Sequence, residues 1–406
     1  MHKLLSVLVL LLLLFCSLPV LGQHVVQGRV VDERTDEPLE FVSVYVNTTT
    51  IGTSTNEAGA FTLTLPDGHY ELIVSYLGYE PIIYPVNTAA LPKSILFKVR
   101  AKENALQEVV VKGTRDSQWY DNLEVFKQRF LGQSEFGKQC KLLNPEILTI
   151  TFNAETALLE VKADEPLQIQ NDALGYKIEY LLTGFRFYGR EGYVVFLGYP
   201  KYVLLQGGKR KQRRWERNRQ RAYHGSVMHF VRAVQQKRLE EEGFNLRRLY
   251  RTPNPDRPTE EEIAAARAAL KARSGAVQVG GTDSISDILA RARLPKTIES
   301  LDINPVPYSD YLQQHATGAK LAFDGYFQVV YTGEKEEAGY VWQQSMFKKR
   351  EPSYQTSVLY LQSDEVLLES NGNIVEPLNV FFEGYWGWEK VGDMLPLDYQ
   401  PAEEMN

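Results

Sequence analysis

The chain has 406 residues, of which 44% are hydrophobic and 24% charged, with a formal net charge of -6. This is a globular rather than a low-complexity composition, and the length allows two domains with full-sized cores. Abundant aromatic residues, 23 Tyr and 18 Phe, favour sheet-rich architecture over a helical bundle.

Residues 1–22 read as a processing segment. His2 and Lys3 precede an almost unbroken apolar run, Leu4–Phe15, and Leu18-Pro19-Val20-Leu21-Gly22 offers a signal-peptidase site before Gln23. An uncleaved anchor is the rival reading, but the run is short for a membrane span. A lipid on Cys16 is disfavoured because Phe15 stands where a lipobox wants a small residue. Cleavage leaves Cys140 as the only cysteine, so the secreted chain is expected to hold its cores by packing and not by a disulfide. Cys140 reads as a buried apolar thiol, since a catalytic one needs an electropositive setting and a base. No later stretch should span a bilayer as a helix, and the chain is too short for a large outer-membrane barrel beside its first domain.

From Val25 to Glu80 the pattern is short alternating strands. Val42, Val44 and Val46 share one face, as do Phe61, Leu63 and Leu65, and then Tyr70, Leu72 and Val74. Pro66-Asp67-Gly68 and Asn56 through Gly59 supply turn chemistry between them. About seven strands in about ninety residues predict a small β-sandwich. Asn56-Glu57-Ala58-Gly59 offers too few oxygen ligands for calcium and reads as a plain turn. The sequon Asn47-Thr48-Thr49 carries no weight in a bacterial setting.

Several spaced motifs in this stretch carry a resemblance: Gly28-Arg29-Val30-Val31-Asp32, Thr35 to Leu39, and Gly52-Thr53-Ser54-Thr55-Asn56 with Gly59 and Phe61. Leu65-Pro66-Asp67-Gly68-His69-Tyr70 and Ser75-Tyr76-Leu77-Gly78-Tyr79 complete it. The segment, about a quarter of the chain, resembles the carboxypeptidase-like regulatory domain. The resemblance implies an all-β, seven-stranded, transthyretin-like (prealbumin-like) sandwich, common at the N-terminus of outer-membrane nutrient receptors and other envelope proteins of Gram-negative bacteria. It implies no peptide cleavage, because the module accompanies carboxypeptidases without acting as one.

Ala105 to Gly113 is extended and β-branched, and is similar to the stretch that links this module to the plug of TonB-dependent receptors. Glu108, Val109, Val110 and Val111 could add a strand to a partner sheet, or belong to a sheet of this chain. Trp119, Leu123, Phe126 and Phe130 then recur at helical spacing. Ile147–Asn153, Leu158–Ala163, Tyr176–Tyr188 and Tyr193–Leu205 read as strands, the last two long and aromatic. The run from Lys209 to Arg221 holds eight basic residues, Lys209, Arg210, Lys211, Arg213, Arg214, Arg217, Arg219 and Arg221, against one acid. A helix is expected from Ser226, with Val227, Phe230, Val231 and Val234 inward. Thr259 and Glu262 form a capping box before another helix, and Ser284–Arg293 reads as a third. Strands return at Lys320–Tyr331, Tyr340–Phe347, Thr356–Leu361 and Val366–Ser370, with a turn at Asn371-Gly372-Asn373. The expected organisation is a signal peptide over 1–22, the sandwich over 23–103, a linker strand over 104–118, and a C-terminal α+β domain over 119–406. The antiparallel sheet of that last domain is interrupted by a helical insertion at about 209–295.

Catalytic signatures are lacking. No histidine has an acid three residues on, which a zinc carboxypeptidase would need, and His224 and His229 do not share a helix face. Gly-x-Ser-x-Gly and phosphate-binding glycine loops are absent. Ser345-Met346-Phe347-Lys348 matches Ser-x-x-Lys, but without its companion motifs and in an expected strand. A glycosidase-type carboxylate pair stays open. No catalytic residue, metal site or cofactor is assigned. The basic run would suggest nucleic acid in a cytosolic protein; in a secreted one, anionic lipid headgroups or an acidic protein face are the better partners, or the charges are locally paired on the surface. The expectation is a non-catalytic envelope protein of the periplasm or outer membrane, beside TonB-dependent uptake or outer-membrane assemblies. Its alternative is a secreted hydrolase with its site in the second domain.

Overall fold

The structure, a computed structural model, describes residues 23–102, 115–272, 284–315, 318–344 and 350–402. It is mostly β-sheet, with several antiparallel sheets and a few helices. Its residues group into two compact units: the described residues of 1–224, 337–347 and 388–406 form one, and those of 225–336 and 348–387 the other. The expected signal peptide, and residues 104–114 of the expected linker, lie outside the described residues. No described helix is long and apolar enough to cross a membrane.

The first unit opens with β1 (Gln23–Asp32), β2 (Ser43–Val46), β3 (Gly52–Ser54), β4 (Ala60–Pro66), β5 (His69–Ser75), β6 (Ile82–Asn87) and β7 (Ile95–Val99). They form two sheets, ordered β4-β1-β7 and β3-β2-β5-β6, with β1 and β7 parallel and the other pairs antiparallel. The alternation of the sequence is what brings the sheets together. Val42, Val44, Val46, Phe61, Leu63, Leu65, Leu72 and Val74 are all buried in one shared core, as a β-sandwich requires. Asn56 is spent within its turn, its Oδ1 accepting from the N–H groups of Ala58 and Ala60. Gly59 closes that turn at φ +70°, where a Cβ would stand 2.5 Å from the Val30 carbonyl.

Helix α1 (Ser117–Phe130) follows, capped by Asp116, and buries Leu123, Phe126 and Phe130 as their spacing predicts. Phe126 and Phe130 meet Phe185, Tyr180 and Phe196 edge to face on the next sheet. That sheet contains β8 (Cys140–Leu142), β9 (Leu148–Asn153), β10 (Leu158–Ala163), β11 (Leu167–Asn171), β12 (Tyr176–Tyr188) and β13 (Tyr193–Leu204). Strand β12 is its spine: β13 pairs along one edge, while the other takes β11 over Tyr176–Tyr180 and β10 over Phe185–Tyr188. Cys140 is half-buried, and desolvation pushes its thiol pKa up, the opposite of an activated nucleophile. The sandwich is tied to β13 within this unit: Thr48 N–H donates to the Pro200 carbonyl (2.8 Å), and Tyr202 N–H to that of Thr49 (2.9 Å).

The turn Asn171–Gly175 between β11 and β12 organises the rest of this unit. Asn171 is fully buried; its Oδ1 accepts from the N–H groups of Ala173 (3.1 Å) and Leu174 (2.9 Å), and its Nδ2 donates to the Gly392 carbonyl (2.9 Å). The segment around Gly392 lies over the end of α1, where the N–H groups of Val391 and Gly392 donate to the carbonyls of Phe130 and Leu131. Beside it Asp393, also buried, accepts from the Ser134 hydroxyl (2.5 Å) and the Lys390 N–H (3.0 Å). Burial pushes the Asp393 carboxyl up to about 7 and the Lys390 ammonium down to about 8.

The second unit begins with α3 (Val227–Gln235), capped by Ser226 and burying Phe230, Val231 and Val234. One sheet is ordered β15-β14-β18-β19-β21, formed by β14 (Phe244–Pro253), β15 (Thr297–Pro305), β18 (Tyr326–Lys335), β19 (Tyr354–Leu361) and β21 (Val380–Gly384). A smaller sheet holds β16 (Leu312–His315), β17 (Gly318–Leu321) and β20 (Val366–Glu369). Helices α4 (Glu260–Ala272) and α5 (Ser284–Arg291) lie between β14 and β15, and the Thr259–Glu262 capping box forms reciprocally. The core joins Phe230, Phe244, Leu246, Phe327, Val329 and Trp386, and the Trp386 indole N–H donates to the Gly225 carbonyl (2.7 Å). Three local expectations change. Phe244–Pro253, inside the expected helical insertion, is a central strand. The stretch expected as a strand from Tyr340 is instead α6 (Ala338–Gln344), a helix of the first unit. Lys320–Tyr331 is two strands, parted by a turn whose Gly325 sits at φ +78°.

Removing the Asn171 amide would orphan two buried N–H groups and one carbonyl. Asn171→Ala should therefore destabilise the first unit by about 2–4 kcal/mol in urea denaturation. Asp393 takes up a proton on folding. Its contribution is present below its ordinary value near 3.8 and is lost as pH rises through about 7. Within that window it amounts to about 1.4 kcal/mol per pH unit. Lys390 acts in a separate window, between about 8 and its ordinary 10.5, where stability rises with pH. Denaturation midpoints of the wild type and Asp393→Asn across the lower window should differ in slope, the variant being flatter.

Candidate functional site

The basic run folds as helix α2 (Lys209–Tyr223), starting after Gly208 and packing against the Asn171–Gly175 turn. Trp215, the one large apolar residue in its middle, is buried with its indole N–H donating to the Asp172 carbonyl (3.0 Å). Gly175 allows this approach: at φ +73° it lacks a Cβ that would stand 2.3 Å from the Trp215 ring. The same helix supplies further donors to the turn. Arg214 Nη2 donates to the Asp172 carbonyl (3.0 Å) and Asn218 Nδ2 to that of Ala173 (2.7 Å). Arg219 donates through Nε to the Leu174 carbonyl (2.7 Å) and through Nη2 to that of Gly175 (3.2 Å), with its guanidinium over the Tyr176 ring. Arg221 pairs with Glu135 (2.9 Å) and lies over Phe136.

The eight cations thus divide. Arg214, Arg219 and Arg221 are engaged by the first unit itself, through two sets of backbone carbonyls and one carboxylate. Lys209, Arg210, Lys211, Arg213 and Arg217 are exposed, and Lys211 is close enough to feel the Asp172 carboxylate. Among the described residues, Lys209, Arg210, Arg213 and Arg217 form no ion pair and no side-chain hydrogen bond. At about 100° per residue, these four fall within one narrow arc of the helix surface, opposite Trp215. The charge left over is a solvent-facing stripe, which can attract an anionic surface but cannot enclose a small ligand.

The segment Glu108–Val111 lies outside the described residues. His229 is buried, with Nδ1 accepting from the Gly225 N–H (3.1 Å) and Nε2 3.1 Å from Glu242; His224 caps the end of α2. In the second unit a groove of about 260 Å³ is lined by Arg238, Glu240, Glu241, Arg247, Tyr308 and Tyr311 among others. It is small for a substrate site. Its lining includes no histidine, and Arg238 is held by Glu241 (2.8 Å) and Glu242 (2.9 Å). No group of three or more potential metal ligands occurs among the described residues.

A residue that the sequence reading missed is Trp342 on α6, 69% exposed. Read as part of a strand, its neighbourhood hid the helical arrangement in which Tyr340 and Val341 turn inward and Trp342 outward.

The family model for the CarboxypepD_reg-like domain matches residues 26–111. No curated protein matches the chain. Among solved structures, it is similar to a cohesin–X-dockerin complex from Acetivibrio cellulolyticus, at 15% identity over 28% of this chain and 79% of that one, TM-score 0.16. It is similar to a DUF3823 family protein from Bacteroides ovatus, at 8% identity over 46% and 83%, TM-score 0.15. A protein of unknown function from Bacteroides fragilis gives 11% identity over 84% and 92%, TM-score 0.17. Likenesses at these TM-scores carry no conclusion, whereas the family match falls on the segment whose motifs predict it. The N-terminal quarter of the chain, residues 26–111, therefore belongs to the CarboxypepD_reg-like domain family.

Proposed function

We propose that this is a non-catalytic envelope protein, exported by its N-terminal segment, that works by docking. Its first module, a transthyretin-like sandwich over residues 23–103, folds and orients the rest of the chain. Helix α2 makes the contact, with an anionic partner at the periplasmic or outer-membrane surface, beside TonB-dependent uptake or outer-membrane assemblies. The observation that carries this reading is the division of charge on α2. A helix that needed its cations only for its own packing would require Arg214, Arg219 and Arg221, and Lys209, Arg210, Arg213 and Arg217 would have no task. Unpaired like charges on one face repel one another, so their accumulation favours a role outside the fold. The family match supports the docking module, since the family's resemblance brings no cleavage chemistry with it. The Glu108–Val111 segment is a second docking element in this proposal, adding a strand to a partner sheet.

The two classes of arginine give the test. Lys209→Glu, Arg213→Glu and Arg217→Glu together should lower recovery in the envelope fraction about fivefold or more, while leaving the unfolding free energy within about 0.5 kcal/mol. Arg219→Ala should do the reverse, costing about 1–3 kcal/mol of stability through the orphaned Leu174 carbonyl, since that of Gly175 keeps the Leu205 N–H. Unchanged envelope recovery in the triple variant would overturn the docking role of α2.

A further inference from the structure

The first unit carries two exposed features that its own packing leaves unused, the free cations of α2 and the indole of Trp342. Lys209, Arg213 and Arg217 follow one another at four-residue steps, and the engaged Arg221 extends the row to about 18 Å along the helix. At the end of the stripe Arg221 pairs with Glu135, and the Glu135 backbone N–H donates to Glu337 Oε2 (2.9 Å). Glu337 is the residue before α6. Two contacts therefore connect the last arginine of the stripe to the helix that carries Trp342. That helix is held firmly: Tyr340 and Val341 are buried, and the Tyr340 ring meets Trp388 at 5.8 Å between centroids. With its neighbours fixed inward, Trp342 stays 69% exposed, and Gln343 and Gln344 beside it are exposed and uncharged.

We infer that the α2 stripe and Trp342 together make a peripheral membrane-binding face, in which the stripe meets anionic lipid headgroups and Trp342 enters the interfacial layer of the same leaflet. The inference rests on the docking role of α2 proposed above and names the partner. Two features favour a lipid surface over an acidic protein. An indole beside a row of cations matches the bilayer interface, where an amphipathic ring lies at headgroup depth while Lys and Arg attract the negative leaflet. A protein partner would need carboxylates placed to match each guanidinium and a pocket for the ring, whereas headgroups adapt to an extended stripe with no such register. The free charge is also local: the chain as a whole carries -6, so nonspecific attraction of the entire molecule to anions is not the cause.

The full chain should cosediment with vesicles of phosphatidylcholine mixed with phosphatidylglycerol, and much less with phosphatidylcholine alone. Binding should weaken as salt rises. Arg213→Glu with Arg217→Glu should lower partitioning about tenfold or more. Trp342→Ala should lower it about fivefold and abolish the blue shift of tryptophan emission on binding, with Trp342→Phe between the two. Circular dichroism and thermal melts should be unchanged in all three, since the residues are exposed. If Trp342→Ala binds and shifts like the wild type while the charge reversal fails, the membrane-insertion inference is wrong and the docking role of α2 survives. A wild type that ignores phosphatidylglycerol vesicles but retains α2-dependent envelope recovery overturns the lipid partner in favour of a protein. Loss of neither property on charge reversal overturns both.

Discussion

The first unit depends on a turn that cannot satisfy itself. Between Asn171 and Gly175 the chain reverses from β11 into β12 under a helix, and three successive carbonyls there, Asp172 to Leu174, take their donors from that helix. Buried carbonyls without donors would cost about 1–3 kcal/mol each. Helix α2 supplies the donors from outside and the Asn171 side chain braces the turn from within. The demand explains an otherwise odd helix, one with almost no apolar surface that still packs closely. Trp215, with Ala222 and Tyr223 in the last turn, provides its apolar contact, and arginine and asparagine provide the hydrogen bonds.

That arrangement also settles how a cluster of like charges is tolerated. Guanidinium groups are rigid planar forks of five donors, suited to bridging consecutive carbonyls, whereas a lysine ammonium is a compact charge on a flexible stem. The arginines bonded to the turn are Arg214 and Arg219, while both lysines of the helix are exposed and make no such bond. The cost of holding cations together is reduced on one side by carbonyl dipoles and aromatic faces, Tyr176 under Arg219 and Phe136 under Arg221. On the other side Lys209, Arg210, Arg213 and Arg217 form no ion pair among the described residues.

The parts of the fold legible in the sequence are those with a clean period. Val42 to Val46 and Phe61 to Leu65 alternate without interruption, and the family motifs fall in the turns around them. The long strands β12 and β13 are equally plain because aromatic residues recur along both. Strand β14 was not, since Arg247, Arg248 and Arg251 interrupt its apolar positions and a bulge follows Arg247, so the period of two never runs for long. Helix α6 failed for the opposite reason: Tyr, Val and Trp in sequence have high strand propensity, and tertiary burial of Tyr340 outweighed it. For α2 the composition located the charge, but not which residues face inward. That sorting depends on a turn over thirty positions earlier in the chain, which no local pattern reports.

The Thr48–Thr50 turn has a bearing on how the chain comes to be folded. It bonds to β13 on one side and to Leu397 and Asp398 on the other, so Thr50 N–H reaches the Asp398 carboxylate (3.0 Å) across 348 positions of sequence. Some of the earliest and some of the latest described residues therefore complete the same unit. A ribosome delivers the sandwich long before its last partner exists, because the residues of the second unit come between the two in the sequence. Loop closure on that scale makes assembly slow and leaves partly built sheet edges exposed meanwhile. The first unit can reach its final form only after synthesis has passed Asp398.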